Sequence, residues 1–318
     1  MKYWRITFLL GGAALFFVVA RNVPFGDFVQ LVRTLDWKFA ALAFASYCAV
    51  NAARVERMTL LLKKQVLRSD LYTLIVLQSF FNVFLPFAGD AAYLSFLHKK
   101  KNIPLGANVG SFVSAKIMDL MALAAVFGGA VFFADLPPLA MSFRAAALAI
   151  MAVSAAAAIA FFACPAAARI ALWWLAGKLG VRSRPAADAF FQKIEEISNS
   201  LVLLDRRDIF ASVAFWTIVN WSCTFLSGFF LLRGAGVALG AGGALFAYTF
   251  PIVATLTPLH VFGGFGTYEV SFASGLILAG ISTAQASAAA IAIHLQELGF
   301  LIVSAAAGAA IYFFGRNR

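Results

Sequence analysis

The chain has 318 residues, 63% of them hydrophobic and 12% charged, with a mean hydropathy of +0.89 and a formal net charge of +11. No water-soluble domain is built this way, so the composition describes an all-α integral membrane protein with several spans. The positive charge is no nucleic-acid footprint, because it sits in short segments between apolar runs, where it fixes membrane orientation.

The first apolar run, 4–20, follows Lys2 and Arg5 and precedes Arg21-Asn22-Val23-Pro24, with no small-residue cleavage site. It reads as a span and not as a removable signal. A second span is expected at 37–53. The run 71–97 is different, because both of its flanks are basic: Arg54, Arg57, Lys63, Lys64 and Arg68 before it, Lys99, Lys100 and Lys101 after it. Lys and Arg gather on the cytoplasmic side, and a run of this length crosses a ~30 Å hydrocarbon core only once. One crossing would strand one flank outside. The spacing therefore predicts a hairpin that enters from the cytoplasm and turns at Pro86-Phe87-Ala88-Gly89-Asp90, with Asn82, Pro86 and Gly89 marking the break. Broken backbone at membrane depth survives only against protein or a water-filled cavity, which puts Asp90 in such a place.

Spans follow at 108–133 and 143–164, with an external turn at Pro137-Pro138. The polar, basic connection 165–209 contains helical spacing of Phe190, Phe191, Ile194, Ile197 and Leu201, which reads as an amphipathic helix on the cytoplasmic surface. A span at 210–232 leads to a second broken region, 241–282, entered from the outside and interrupted around Pro258, Gly263, Gly264 and Gly266. The last span is 285–314. The expectation is one transmembrane domain over 1–318, with about six full spans and two broken or re-entrant hairpins, both termini cytoplasmic. Most of the 25 Lys and Arg residues then lie on the cytoplasmic side.

The order span, span, hairpin, span occurs twice in opposite orientation, which divides the chain into halves 1–140 and 141–318 and predicts an inverted repeat. Charges inside the apolar runs repeat with it. Asp90 at the first break is followed on the next span by Lys116 and Asp119; Glu269 after the second break is followed at almost the same spacing by His294 and Glu297. Ionisable groups at membrane depth cost at least a few kcal/mol and mark transport pathways. These six are the expected translocation residues, converging on one polar cavity. The plainer readings are that Lys116 and Asp119 neutralise each other one helical turn apart, that His294 and Glu297 share a hydrogen bond, and that Asp90 and Glu269 cap helix starts. Cys48, Cys164 and Cys223 fall in apolar segments as small hydrophobes. No cofactor, metal spacing or hydrolase motif is present in the sequence, so no enzyme and no catalytic residue is expected.

At these residues the chain resembles the lysylphosphatidylglycerol synthase transmembrane region, a flippase-like family, over nearly its whole length. The marks are Asn51-Ala-Ala-Arg54; Asn82-x3-Pro86-x2-Gly89-Asp90; Lys116-x2-Asp119; and Thr257-Pro258-x4-Gly263-Gly264-x-Gly266-x2-Glu269. Two places depart from the pattern. Tyr93 stands where the family often has Arg, and Ala115 where it often has Glu. The resemblance implies lipid translocation, of aminoacylated phospholipids or polyprenyl-linked lipids. No aminoacyl-transferase domain follows Arg318, so a translocase unit is expected and not a synthase. The leading expectation is a flippase of the inner (plasma) membrane whose substrates are membrane lipids, with Lys116 attracting phosphate and the carboxylates an amine or sugar hydroxyls. The alternatives are a proton- or cation-coupled transporter of a small solute, and a non-transporting subunit that scaffolds a lipid-modifying enzyme through 165–209.

Overall fold

An apolar chain inside a membrane has no water to satisfy its backbone, so it must bond along its own helix. The computed structural model describes residues 16–19, 21, 26, 29–30, 33–85, 87–133, 135–162, 207–255 and 262–315, and their regular elements are all helices. Most of the expected first span 4–20 and of the amphipathic connection 165–209, together with Pro86 and Pro258, lies outside the described residues.

The long helices are α1 (Trp37–Leu61), α2 (Arg68–Phe84), α3 (Ala88–Lys101), α4 (Leu105–Phe133), α5 (Arg144–Phe162), α6 (Arg207–Gly234), α7 (Ala241–Thr255), α8 (Thr267–Leu278) and α9 (Thr283–Gly315). Among the described residues, three stretches are long and apolar enough to cross a membrane: Leu105–Phe133, Ile209–Gly234 and Thr283–Phe314. Arg144–Ala156 and Ala241–Thr255 are shorter apolar helices. The second expected span differs at its end. It continues past residue 53 to Leu61 and carries Arg54, Glu56 and Arg57 on helix, with Arg57 buried. The basic flank that sequence places in water therefore begins inside the bundle.

The first break lies at 85–87, with Asn82 and Gly89 on the helices at either side of it. α2 stops at Phe84, Phe87 takes a left-handed conformation (φ 63°), and α3 starts at Ala88. α2 and α3 pack against each other, and Lys101 at the end of α3 pairs with Asp70 in the first turn of α2. Both hairpin ends thus meet at one end of the molecule. Arg68 joins them to Glu56 of α1 through two hydrogen bonds of 2.5 and 2.9 Å.

The second break is built from glycines. Gly263, Gly264 and Gly266 have φ of 80°, 76° and 88°, values that favour glycine because a Cβ would crowd the backbone. α7 and α8 form the hairpin around it. They return to the opposite end of the molecule, where Asp36 donates its backbone N–H to the carbonyl of Gly234, 3.1 Å away, at the close of α6.

The packing pairs helices across the chain. α1 lies antiparallel to α6, with Ser227 bonding the carbonyl of Ala43 and Thr217 reaching Arg57. α2 packs on α9, where Thr73 donates to the carbonyl of Gly308, and α4 packs on α7, where Phe127 stacks on Phe246. One apolar core gathers Met58, Ile75, Tyr93, Leu97 and Met118; another gathers Phe225, Tyr248, Phe272 and Ile293. Polar groups lie beside both.

Candidate functional site

The first polar cluster is organised by Asp119, which faces inward from the middle of α4. Arg57 of α1 grips it with both terminal nitrogens, at 2.6 and 3.0 Å, and the indole N–H of Trp221 on α6 donates to Oδ1 at 2.9 Å. A bidentate guanidinium–carboxylate pair is the strong form of such a contact. Thr217 of α6 approaches the same guanidinium at 3.4 Å.

Lys116 takes no part in this. Its ammonium lies over the ring of Phe112, 5.3 Å from the centroid, on an exposed side of α4. The plainer reading, a Lys116–Asp119 pair, does not form; Asp119 pairs with Arg57 instead. The physical reason is reach: a fork arriving from a neighbouring helix meets both carboxylate oxygens, whereas Lys116 can turn outward along its own helix face.

Asp90 is the third residue of α3, one turn beyond the break. Its carboxylate accepts from the side-chain amides of Gln78 (2.9 Å) and Asn82 (2.6 Å), both on α2, and its backbone N–H donates to Asn82 at 3.2 Å. Asp90 therefore clamps the two hairpin arms together. Arg54 bonds Ser79 at 2.9 Å and lies within electrostatic reach of Asp90, Asp119 and Arg57. Arg54, Arg57, Gln78, Tyr93, Lys116 and Asp119 line a cavity of about 40 Å³.

The second cluster surrounds the second break. Glu269 is wholly buried and is the third residue of α8, matching the place of Asp90 on α3. One carboxylate oxygen accepts the N–H of Gly266 at 2.6 Å, capping the helix, and the other bonds Nδ1 of His294 at 2.7 Å. The capping reading of Glu269 thus holds together with a cross-helix contact. His294 is buried, stacked on Tyr268 at 4.2 Å and tilted against Phe265 at 5.1 Å. The plainer reading of a His294–Glu297 bond is not met among the described contacts. His294 turns to Glu269, and Glu297 accepts from the hydroxyl of Tyr248 on α7.

The six sequence-selected residues therefore form two groups: Asp90, Lys116 and Asp119 around the first hairpin, Glu269, His294 and Glu297 around the second. The link between them is α1. Arg57 on α1 bonds Asp119 of the first cluster, and Tyr47 on α1 packs on Phe300 of α9, the helix that carries His294 and Glu297, with ring centroids 6.0 Å apart. Sequence reasoning counted Arg54 and Arg57 in the basic cytoplasmic flank and, though it marked Arg54 in the family resemblance, placed neither in the site. The signal was present: Asn51, Arg54 and Arg57 recur every third residue, and so share one face of a helix that need not end at 53.

An apolar groove of about 580 Å³ adjoins the first cluster, between α4 and α6 and against α7. Trp221 stands at the boundary, its N–H on Asp119 and its ring in the groove wall. No curated protein and no solved structure matches the chain. The family model described as the lysylphosphatidylglycerol synthase TM region matches residues 4–305, nearly the whole chain, and the protein belongs to that family.

Proposed function

We propose that the protein translocates a polar-headgroup lipid across the cell inner membrane, the headgroup passing through the polar interior while the hydrocarbon stays at an apolar wall. The family is a membrane region with a lipid-related role, which supports the reading in outline. The observation that carries it is the adjacency of two unlike spaces. The polar cavity and the apolar groove use one continuous face of α4, from Phe112, Lys116 and Asp119 to Ala122, Val126 and Gly129. An amphiphile needs that pairing, and a small solute does not.

The two halves are proposed to act as an inverted repeat. α1, α2–α3 and α4 correspond to α6, α7–α8 and α9. The packing supports this, because α2 on α9 has its counterpart in α4 on α7, and each hairpin returns to the end from which it started. Alternating access would then come from moving one half against the other. The end carrying Lys63, Lys64 and Lys99 to Lys101 would be cytoplasmic.

The test is reconstitution in liposomes with a panel of lipids labelled in the headgroup, measuring how much label becomes accessible to an impermeant quencher. Protein-dependent movement of at least one lipid is expected. Vesicles in which no lipid moves above the protein-free rate would remove the reading. A second reading, proton-coupled solute transport, is favoured only by the buried Glu269–His294 pair, a titratable unit at a hairpin break. It expects uptake driven by a pH gradient in sealed vesicles, with no lipid movement.

A further inference from the structure

We propose that the cavity lined by Arg54, Arg57, Tyr93 and Lys116 binds the phosphate of a net-anionic lipid, and that the groove between α4 and α6 holds that lipid's hydrocarbon chain. This rests on the lipid reading above for its occupant and narrows the headgroup. Three cations line the cavity against one carboxylate, Asp119, which Arg57 and Trp221 already occupy. Asp90, the next acid, is held by the amides of Gln78 and Asn82. Positive charge is left over, and Lys116 has no acidic partner among the described residues.

Two buried donors point the same way. Among the described residues, Nε of Arg57 and the hydroxyl of Tyr93 have no hydrogen-bond partner, although Arg57 is only 4% and Tyr93 2% exposed. A buried donor without a partner is costly, and phosphate oxygens are acceptors suited to a guanidinium edge, a phenol and an ammonium together. The cavity is small, about 40 Å³, which suits a compact phosphate and not a large sugar. A headgroup bearing its own ammonium, such as an aminoacylated one, would meet three like charges. The chain's path follows from α4, since the turn after Asp119 begins the apolar wall that Ile218, Phe225 and Leu226 of α6 complete.

The experiment is calorimetric titration of the full chain in dodecyl maltoside micelles with dodecyl phosphate, dodecylphosphocholine and inorganic phosphate. Dodecyl phosphate should bind at least tenfold more tightly than dodecylphosphocholine, which shares its chain and phosphate but is net neutral. Inorganic phosphate should not bind over the same range. Lys116→Met and Tyr93→Phe should each weaken dodecyl phosphate about tenfold without shifting the melting temperature, and Ala125→Trp should weaken it by filling the groove. Equal binding of the two amphiphiles, or unchanged binding by both Lys116→Met and Tyr93→Phe, would overturn the phosphate site. Inorganic phosphate binding as tightly as dodecyl phosphate, or indifference to Ala125→Trp, would overturn the groove. Translocation of labelled lipid with no selectivity for the anionic amphiphile would remove this proposal and leave lipid transport standing. Selective binding with no translocation would keep the site and remove transport.

Discussion

Arg57 and Lys116 show how two bases on the same cavity wall can have different work. Arg57 is buried and committed to Asp119; Lys116 is exposed and rests on Phe112. Breaking a buried ion pair by removing one partner costs about 3–5 kcal/mol, whereas replacing both by apolar residues is often neutral. Arg57→Met should therefore lower stability by about 3–5 kcal/mol, leaving Asp119 with Trp221 alone. Arg57→Met/Asp119→Leu should recover most of that loss, measured by thermal unfolding in detergent; a double variant as unstable as the single one would mean that the pair is not what holds α1 to α4. Lys116→Met should behave differently. It removes a cation–aromatic contact worth about 0.5–1 kcal/mol at an exposed site, so its melting point should stay close to the parent's. A loss as large as that of Arg57→Met would show that Lys116 and not Arg57 neutralises Asp119. Sequence spacing offered Lys116, one turn from Asp119, as a candidate partner, and local spacing cannot reveal a base that arrives from a helix 62 residues earlier.

The two hairpins repeat one local device. Each returning helix begins after a residue of positive φ, Phe87 at 63° and Gly266 at 88°, and each carries an acid at its third position. The bonds differ. Glu269 caps backbone, while Asp90 spends its carboxylate on side chains of the outgoing arm. Close approach of the arms depends on glycine. A Cβ on Gly89 would stand 2.0 Å from the carbonyl oxygen of Gln78, and one on Gly275 would stand 2.6 Å from that of Ala247. Gly89→Ala should force α2 and α3 apart and cost about 1–3 kcal/mol in stability, while Gly129→Ala, with nothing within 4 Å, should cost far less. Equal melting points for the two variants would mean that the hairpin yields without strain. The break itself was legible from the sequence, because Pro86 and Gly89 interrupt an apolar run flanked on both sides by lysines. The end of α1 was not, since Arg54 and Arg57 look like a water-facing flank until Asp119, Ser79 and Thr217 appear beside them. Hydrophobic pattern locates helices, but it carries no record of which charges tertiary contacts will bury.

At the scale of the molecule, the arrangement depends on which end each hairpin returns to. Lys101 pairs with Asp70, so the segments before α2 and after α3 lie together, and the turn at Gly234 lies with the start of α1 at the far end. α2, with 17 residues, is about 25 Å long at 1.5 Å per residue, shorter than a ~30 Å hydrocarbon core, as the proposed hairpin requires. In the proposed orientation the cytoplasmic end is the one with Lys63, Lys64, Arg68 and Lys99 to Lys101, which carries more bases than the end with Arg33, Lys38, Arg144 and Arg233. In a background where Cys48, Cys164 and Cys223 are replaced, single cysteines at 64 and 100 should react with an impermeant maleimide from the cytoplasmic face only. Cysteines at 144 and 233 should react from the outside only. A cysteine at 100 labelled from the outside while one at 64 is labelled from the cytoplasm would make 71–97 a crossing. Asp70 and Lys101 would then sit on opposite faces, which their ion pair forbids, and the correspondence between the two halves would fail with it.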